Sequence, residues 1–341
     1  MRPNTFRQKI ILYTLRHPSL INTLKTIFSL LLNNKLYQIY AIKKANKYAR
    51  LYPDKEMNVY IETTLSCNAR CIMCYHGYQQ MSGVMSMELF KKIVDDCNAN
   101  HITSVDLSVG GEPLMDPYLF ERISYLRRYN MSYGFYTNGY LLDAKKAEAF
   151  FELGGLRKIN FSVCGYAPEV YEKIMVGLKR DVTYKNITDF LRLKEKYKLN
   201  DLIVGISAVK LNANKGDLKN FVKFWQRQKG VDQVITADLR DRVGKKDINE
   251  IGKVGKMYER NHWLVPCDQL WGLYFIYCDG RIAPCCNDIG LRRLVIGDIN
   301  KQTLQEIRTA NCLKDLRKQH LEGRRYRHQV CGKCFYNSAW L

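Results

Sequence analysis

The most informative segment of the sequence is Cys67-Asn-Ala-Arg-Cys71-Ile-Met-Cys74. It offers three thiolates in one short loop and no fourth. A structural zinc site requires four protein ligands, whereas an iron–sulfur cluster held by three cysteines keeps one iron open for another ligand. The spacing therefore favours an iron–sulfur cluster with an open iron. A zinc knuckle and three buried thiols are the alternatives.

A second motif follows the first along the chain, and each comes after its own strand-like run. The cysteine loop comes after an apolar, strand-like run over 59–63, and Gly110-Gly-Glu-Pro113 ends a similar run over 105–109. Glycines let the backbone approach a ligand closely, and a carboxylate such as Glu112 accepts hydrogen bonds from an ammonium group. Two motifs in this order, each placed after a strand, point to one shared site.

Together the two motifs resemble those of the radical S-adenosylmethionine (radical SAM) enzymes. The resemblance implies that Cys67, Cys71 and Cys74 hold a [4Fe–4S] cluster whose fourth iron chelates SAM. It further implies that the methionine amino end of SAM is received by Gly110, Gly111, Glu112 and Pro113. Met73 stands where the family usually has an aromatic residue, and we expect it to pack on the adenine.

The C-terminal cysteines resemble the opening part of the SPASM extension of radical SAM enzymes, which carries auxiliary iron–sulfur clusters. The residues in that pattern are Cys267, Cys285, Cys331 and Cys334. No cysteine follows Cys334, which predicts the short version with a single auxiliary [4Fe–4S] cluster, saturated by four thiolates and suited to electron transfer. Cys286 competes with Cys285 for one ligand position. A structural zinc site is the alternative.

Alternating strand-like and helical patterns predict six β–α units and a parallel sheet. The strand-like runs cover 58–63, 104–109, 133–137, 158–164, 202–209 and 233–239, with helical patterns such as 87–99 and 218–229 between them. Together with the resemblance, they predict a partial (β/α)6 barrel with a small C-terminal iron–sulfur module and an N-terminal helical extension. The expected domains are residues 1–55, 56–255 and 256–341.

Functional residues of such barrels lie at the C-terminal ends of the strands. This rule selects Thr137-Asn-Gly139, Ser162 and Cys164, although Asn-Gly is also an ordinary turn signal. Ser162 resembles family positions that touch the SAM ribose. Cys164 is a candidate hydrogen-atom donor or base, with a thiol packed under the next helix as the alternative. We expect buried, hydrophobic roles for the remaining cysteines, Cys97, Cys278 and Cys312.

The first fifty residues form a basic arm that contains ten Lys or Arg and no Asp or Glu. Apolar residues recur in it at helical spacing: Leu20, Ile21, Leu24, Ile27, Phe28 and Leu31. Arg16 and Lys25 interrupt it, so it is too short for a bilayer span of roughly 20 residues. We expect it to bind an anionic membrane surface or to cap the barrel, and an organelle transit peptide is a weaker alternative.

Cysteine usage and charge limit the setting and the partners. Twelve cysteines in metal-like groups, without a cleavable signal pattern, predict a reduced, cytoplasmic protein, peripheral to the membrane if the arm binds lipid. The formal net charge of +21 and a basic stretch over 317–327 raise nucleic acid as a partner. Because no RNA-recognition motif accompanies that charge, an RNA substrate ranks third.

The resemblance implies that reduced flavodoxin or ferredoxin supplies an electron, that SAM yields a 5′-deoxyadenosyl radical, and that this radical abstracts a hydrogen atom. The auxiliary cluster would take an electron from the substrate radical, which gives a two-electron oxidation. A helical arm, unlike the strand-containing leader-binding domain of many peptide-modifying relatives, favours a small polar or glycan-like substrate. Maturation of a peptide or protein is the alternative enzyme function. A non-catalytic metal-binding module and a membrane adaptor are the alternatives outside catalysis.

Overall fold

The computed structural model describes residues 57–77, 81–240, 248–253 and 266–334, together with five helical residues before them. Those five are Ile39, Tyr40, Lys43, Asn46 and Lys47. The rest of the predicted arm lies outside the described residues. Among the described residues, no helix is both long and apolar enough to span a bilayer.

Six strands form a parallel sheet in chain order, which confirms the predicted partial (β/α)6 barrel. They are β1 (Asn58–Ile61), β2 (Ser104–Asp106), β3 (Ser132–Thr137), β4 (Leu156–Ser162), β5 (Ile203–Lys210) and β6 (Gln233–Asp238). Each pairs in parallel with the next, from Val59 opposite Val105 to Lys210 opposite Asp238. The described sheet is open, with β6 at one end.

Helices connect these strands and continue beyond them. Their bounds are α1 Met87–Ala99, α2 Leu119–Arg128, α3 Ala144–Leu153, α4 Pro168–Ile174, α5 Arg180–Lys196, α6 Leu218–Gln226, α7 Ile248–Ile251, α8 Leu304–Thr309 and α9 Asn311–Leu321. Local chemistry sets their ends. Ser86 caps α1 by accepting the Leu89 N–H at 3.1 Å, and Asp143 caps α3 by accepting the Lys146 N–H at 2.8 Å.

Sequential parallel strands joined by right-handed crossovers place the helices on one face of the sheet. The side chains on that helix-covered face are apolar and buried: Val59, Ile61, Val105, Tyr133, Phe135, Ile159, Phe161, Val204, Ile206 and Ala208. Because successive strand residues point to opposite faces, the intervening side chains share the other face. We call this second side the open face, and its side chains are Tyr60, Asp106, Tyr136, Lys158, Asn160 and Ser162.

Several predicted ends were wrong by a few residues. The second strand ends at Asp106 rather than 109, because the Asp106 carboxylate accepts the Ser108 N–H at 3.1 Å and bends the chain out of the ladder. The sixth helix ends at Gln226 rather than 229. There the N–H groups of Arg227 and Gln228 bond three residues back, at 3.3 and 3.2 Å, and Gly230 follows with a φ of +86°.

Three short strands that the sequence did not predict extend the sheet beyond β1. They are β7 (Leu273–Ile276), β8 (Arg281–Ala283) and β9 (Gly297–Asp298), and β8 pairs antiparallel with both of its neighbours. β7 joins the parallel strands at β1, where the Glu62 N–H donates to the Ile276 carbonyl at 2.8 Å.

The chain divides into two compact units. The larger comprises Asn58–Val254 and Tyr274–Gln305. The described part of the smaller comprises 266–273 and 306–334, together with Met57 and the five helical residues named above. The smaller unit contains α9 and three of the four proposed auxiliary ligands, whereas Cys285 belongs to the larger. The domain boundaries expected from the sequence stay a prediction.

Candidate functional site

The cysteine loop is fixed by its own backbone. Arg70 donates its N–H to Val176 at 2.8 Å, and Ile72 donates to Ile174, the last residue of α4, at 3.1 Å. Cys74 closes a turn onto the Cys71 carbonyl at 3.0 Å. These three backbone hydrogen bonds define the path of the loop.

The Gly-Gly-Glu-Pro segment is hydrogen-bonded directly to the chain that leads into the cysteine loop. Gly111 donates its N–H to the Thr64 carbonyl at 3.2 Å, and Glu112 donates to the Ser66 carbonyl at 2.9 Å. A Cβ on Gly111 would collide with both carbonyls, and one on Gly110 would meet Glu62. Only glycine allows this approach, so the two motifs are parts of one site.

Glu112 is buried, and three internal donors hold its carboxylate. Oε1 accepts from the Thr137 hydroxyl at 2.6 Å and from the Leu114 N–H at 3.2 Å, and Oε2 accepts from the Asn138 N–H at 2.8 Å. Burial raises the pKa of Glu112 to about 6, although these donors oppose the shift. The side chain thus joins the end of β3 to the Gly-Gly-Glu-Pro segment, and its contact with SAM stays a prediction.

Asn68 and Asn138 link the cysteine loop to the end of β3. Asn138 Nδ2 donates to Asn68 Oδ1 at 2.8 Å. The Nδ2 group of Asn68 is itself buried and has no hydrogen-bond partner within the described part of the chain. A buried donor without a partner costs stability, which fits a site that gains an acceptor when its cofactor binds.

The three thiols lie close enough to influence one another electrostatically, and all three are half-buried. Burial raises the pKa of Cys67 to about 11 and that of Cys71 well above its ordinary value, and the neighbouring thiols add to both shifts. A cationic iron centre would reverse this penalty by stabilising the thiolates. The donor set therefore fits an iron–sulfur cluster, although no three His, Cys, Asp or Glu side chains within the described ranges stand together in a ligating arrangement.

The structure adds a buried ion pair that the sequence reasoning missed. Glu62 directly follows β1 and is 0 % exposed, and Arg292 contacts both of its carboxylate oxygens. Burial raises the pKa of Glu62, while the Arg292 guanidinium opposes that shift. The barrel-end rule could have found Glu62, since it lies at the C-terminal end of a strand. Nothing in the sequence around Arg292 indicates this partner.

A tight turn presents Arg292 to Glu62. The Asp288 carbonyl accepts the Arg292 N–H at 2.6 Å, and the buried Asp288 carboxylate accepts the Leu294 N–H at 2.5 Å. Arg292 itself has a φ of +52° and lies over the Tyr277 ring, 4.4 Å from its centroid. The Glu62 carboxylate also accepts the Cys278 N–H at 3.0 Å, which ties the turn after β7 to the end of β1.

The remaining predicted positions differ in exposure. Met73 and Ser162 are half-buried, and Ser162 lies opposite Ser207 of β5. Cys164 is 0 % exposed, accepts the Val209 N–H at 3.5 Å, and burial raises its pKa to about 11. That environment agrees with the packed alternative and lacks the exposed, electropositive setting of a reactive thiol.

The other cysteines were predicted with mixed success. Cys97 is fully buried on α1, as expected. The prediction was wrong for Cys312, which is exposed near the start of α9, and for Cys278, which is half-buried beside Glu62. The first turn of α9 exposes one side to solvent, and the pattern of apolar residues did not show that Cys312 lies on that side.

In the smaller unit, two histidines accept backbone N–H groups of proposed auxiliary ligands. Cys267 donates its N–H to His320 Nδ1 at 3.2 Å, and Cys331 donates to His328 Nδ1 at 3.2 Å. Cys334 closes a turn onto the Cys331 carbonyl, also at 3.2 Å. In the larger unit, Cys285 Sγ accepts the Asn287 N–H at 3.3 Å. These are fixed, thiol-bearing loops of the kind that a cluster requires.

Comparison with known proteins gives a consistent picture. The family model of the radical SAM superfamily matches residues 61–224, and that of the SPASM iron–sulfur cluster-binding domain matches residues 267–335. The chain is 25% identical over 184 residues to a tungsten-containing aldehyde ferredoxin oxidoreductase cofactor-modifying protein of Pyrococcus furiosus. That match covers 53% of this chain and 51% of the relative, so the chain spans about half the relative's length.

Solved structures show the same fold. BtrN in complex with AdoMet and 2-DOIA superposes with a TM-score of 0.55 at 19% identity, covering 82% of this chain and 92% of that one. Streptococcus suis SuiB bound to its precursor peptide SuiA superposes with a TM-score of 0.61 at 14% identity, covering 83% and 72%. The chain therefore belongs to the radical SAM superfamily and carries a SPASM iron–sulfur cluster-binding domain C-terminal to its radical SAM domain.

Proposed function

We propose that this protein is a radical SAM oxidoreductase that oxidises a C–H bond of a small polar or glycan-like substrate, with an auxiliary [4Fe–4S] cluster as electron acceptor. The observation that carries the proposal is the direct attachment of the Gly-Gly-Glu-Pro segment, through Gly111 and Glu112, to the residues that lead into the cysteine loop. A protein that only stores metal has no use for a second, glycine-dependent motif held against its ligand loop.

Its family gives the cofactors as a [4Fe–4S] cluster with SAM in the radical SAM domain and auxiliary iron–sulfur in the SPASM domain. When reduced and loaded, these cofactors supply one electron to SAM and a 5′-deoxyadenosyl radical that abstracts a hydrogen atom. Cys67, Cys71 and Cys74 would hold the first cluster. Cys267, Cys285, Cys331 and Cys334 would hold the second, an assignment that rests on their spacing.

The chain's own residues would orient SAM around the cysteine loop. The Nδ2 group of Asn68, which has no partner among the described residues, offers a donor. Gly110 and Gly111 lie too close to their neighbours to carry a side chain, which leaves their backbone free to approach a ligand. Met73 and Ser162 are half-buried, so both are available for contact with the adenosine part.

The polar character of the open face supports the proposed substrate class. Asp106 and Lys158 lie two strands apart in one register row, with Gly134 between them, and each acts on the pKa of the other. Burial raises the pKa of Asp106 to about 6, and Tyr136 beside this row is 46 % exposed. Buried acceptors and donors with an accessible ring match a small molecule rich in hydroxyl or amino groups. The solved relative BtrN, which was captured with AdoMet and 2-DOIA, agrees with this class.

The electron donor would be reduced flavodoxin or ferredoxin. The formal net charge of +21 would favour the encounter of this chain with a donor protein of net negative charge.

The test is reductive cleavage of SAM by anaerobically reconstituted protein. We expect 5′-deoxyadenosine from the wild type and none from the Cys67→Ala, Cys71→Ala, Cys74→Ala variant, with a rate that rises when amino sugars or cyclic polyols are added. Asp106→Asn and Lys158→Met should raise KM for such a substrate while leaving substrate-free cleavage intact. Stimulation by peptides instead would favour the maturase alternative, and no cleavage with intact clusters would refute the enzyme.

A further inference from the structure

His320 lies on α9 in the smaller unit, and its side chain is completely buried. Its Nδ1 atom accepts the backbone N–H of Cys267 at 3.2 Å. An imidazole nitrogen that accepts a hydrogen bond carries no proton, so the proton of this ring must be on Nε2. The contact with Cys267 thus fixes the tautomer and turns the Nε2–H toward a second partner.

That second partner is missing within the described residues. Nε2 of His320 is buried and has no hydrogen-bond acceptor there. Leaving a buried N–H unpaired lowers stability, and native proteins rarely tolerate it. The position therefore calls for an acceptor that arrives with something bound beside Cys267.

The nearby groups limit what that acceptor is. Arg325 acts electrostatically on both Cys267 and His320, and its Nη2 donates to the Cys334 carbonyl at 3.4 Å. Two N–H donors and two proposed cluster ligands thus lie in one small region of the same unit. Such surroundings suit a group that carries negative charge and several acceptors, as the sulfide and thiolate sulfurs of an iron–sulfur cluster do.

We propose that the Nε2–H of His320 donates a hydrogen bond to a sulfur of the auxiliary cluster and thereby raises the reduction potential of that cluster. The inference rests on the proposed assignment of Cys267, Cys331 and Cys334 as ligands. A hydrogen bond to a cluster sulfur stabilises the reduced form more than the oxidised form, because the reduced form carries one more negative charge. His320 is thus a residue that sets how readily an electron is accepted.

His328 provides a matched comparison in the same unit. Its Nδ1 atom accepts the N–H groups of Val330 and Cys331, both at 3.2 Å, but its ring is only half-buried. It anchors the backbone of a proposed ligand as His320 does, but its Nε2 is not a buried donor that lacks an acceptor. A variant at His328 therefore separates loss of backbone anchoring from loss of a donor to the cluster.

The experiment uses the full chain carrying Cys67→Ala, Cys71→Ala and Cys74→Ala, so that only the auxiliary cluster remains. Its midpoint potential is followed by electron paramagnetic resonance during a redox titration. His320→Asn, which keeps an acceptor near the Nδ1 position but loses the Nε2–H, should give a more negative potential. His320→Gln, which places an N–H near Nε2, should restore part of the shift, and His328→Asn should leave the potential close to that of the parent.

An unchanged potential in His320→Asn with a fully assembled cluster would overturn the inference while leaving the proposed function intact. Absence of any cluster in the parent would overturn both. If the His320 variants do not assemble the auxiliary cluster, the hydrogen bond is tested in the parent protein alone. With ¹⁵N-labelled histidine, its reduced cluster should show a ¹⁵N coupling that persists in His328→Asn, together with an exchangeable proton coupling lost in D2O. Absence of the histidine coupling would refute the hydrogen bond.

Discussion

Arg292 donates through Nη2 to both carboxylate oxygens of Glu62, at 2.8 and 2.9 Å, across 230 residues of sequence. One partner follows β1, five residues before the cysteine loop begins, and the other follows β8. The Arg292 side chain is 9% exposed and that of Glu62 is 0% exposed. Water therefore cannot replace either partner, and each charge depends on the other.

Removing one partner of this pair should be more harmful than removing both. Glu62→Gln and Arg292→Met should each lower the free energy of unfolding by about 3–5 kcal/mol, because each leaves a buried charge alone. The double variant should recover part of the loss, as measured by urea unfolding in a double-mutant cycle. The pair of exposed Lys185 and half-buried Asp189 on α5 is the control, with a coupling of about 0.3–0.5 kcal/mol. Additive losses at Glu62 and Arg292 would contradict the expected coupling.

Gly111→Ala should destabilise the protein and abolish SAM binding together. The new methyl group meets the Thr64 and Ser66 carbonyls, which are backbone atoms and cannot turn aside. We expect a loss of about 1–3 kcal/mol by thermal or urea unfolding. Gly216→Ala is the matched control, since a Cβ there meets no atom within 4 Å. A SAM affinity in Gly111→Ala equal to that of the control would show that the two motifs need not touch.

Glu112 should make stability depend on pH in a defined window. Its pKa is raised from 4.5 to about 6 in the folded protein, so the folded state holds this proton more tightly than the unfolded state does. The stabilisation is complete below about pH 4.5 and is lost as the pH rises through about 6, amounting to about 2 kcal/mol at most. Urea unfolding from pH 4 to pH 7 should therefore show wild type losing stability relative to Glu112→Gln. Glu121→Gln, an exposed change on α2, should show no such trend. Parallel pH curves for wild type and Glu112→Gln would refute the shift.

Iron content should report the two proposed clusters separately. Anaerobically reconstituted wild type should bind about eight iron atoms, and the double variant Cys267→Ala, Cys331→Ala about four. The exposed Cys312 gives a control, because Cys312→Ala should keep the wild-type content. Zinc in place of iron, or full iron content in the double variant, would remove the auxiliary cluster.

The basic arm, most of which lies outside the described residues, gives a separate prediction. If residues 1–55 lie on a membrane surface, binding to anionic vesicles should fall with salt but not vanish, because the apolar face is insensitive to screening. Leu24→Glu combined with Phe28→Glu should then abolish most binding. If the arm caps the barrel instead, the same change should lower the melting temperature, with little vesicle binding in either form.

The sequence predicted the parallel sheet because hydrophobic alternation and local motifs report on each strand by itself. Helix Met87–Ala99 matched to the residue, since the Ser86 cap and its apolar stripe are both local. Contacts between residues far apart in the chain have no comparable local pattern in the sequence. The junction of β7 with β1 and the contact of Arg292 with Glu62 join residues more than 200 positions apart. The sequence around Glu62 shows only a carboxylate at the end of a strand and does not indicate its partner.

The central position of β1 in the sheet affects how the protein responds to oxygen. This short strand lies between β2 and β7, so neighbouring strands occupy both of its edges. Amide hydrogens in such a strand should exchange with solvent only on extensive opening of the sheet. The segment that leads into Cys67 is therefore anchored by strand pairing on both sides of β1, which involves none of the proposed cluster ligands. We expect the sheet to stay folded when oxygen destroys the cluster. A new cluster should then assemble on the loop without refolding of the chain.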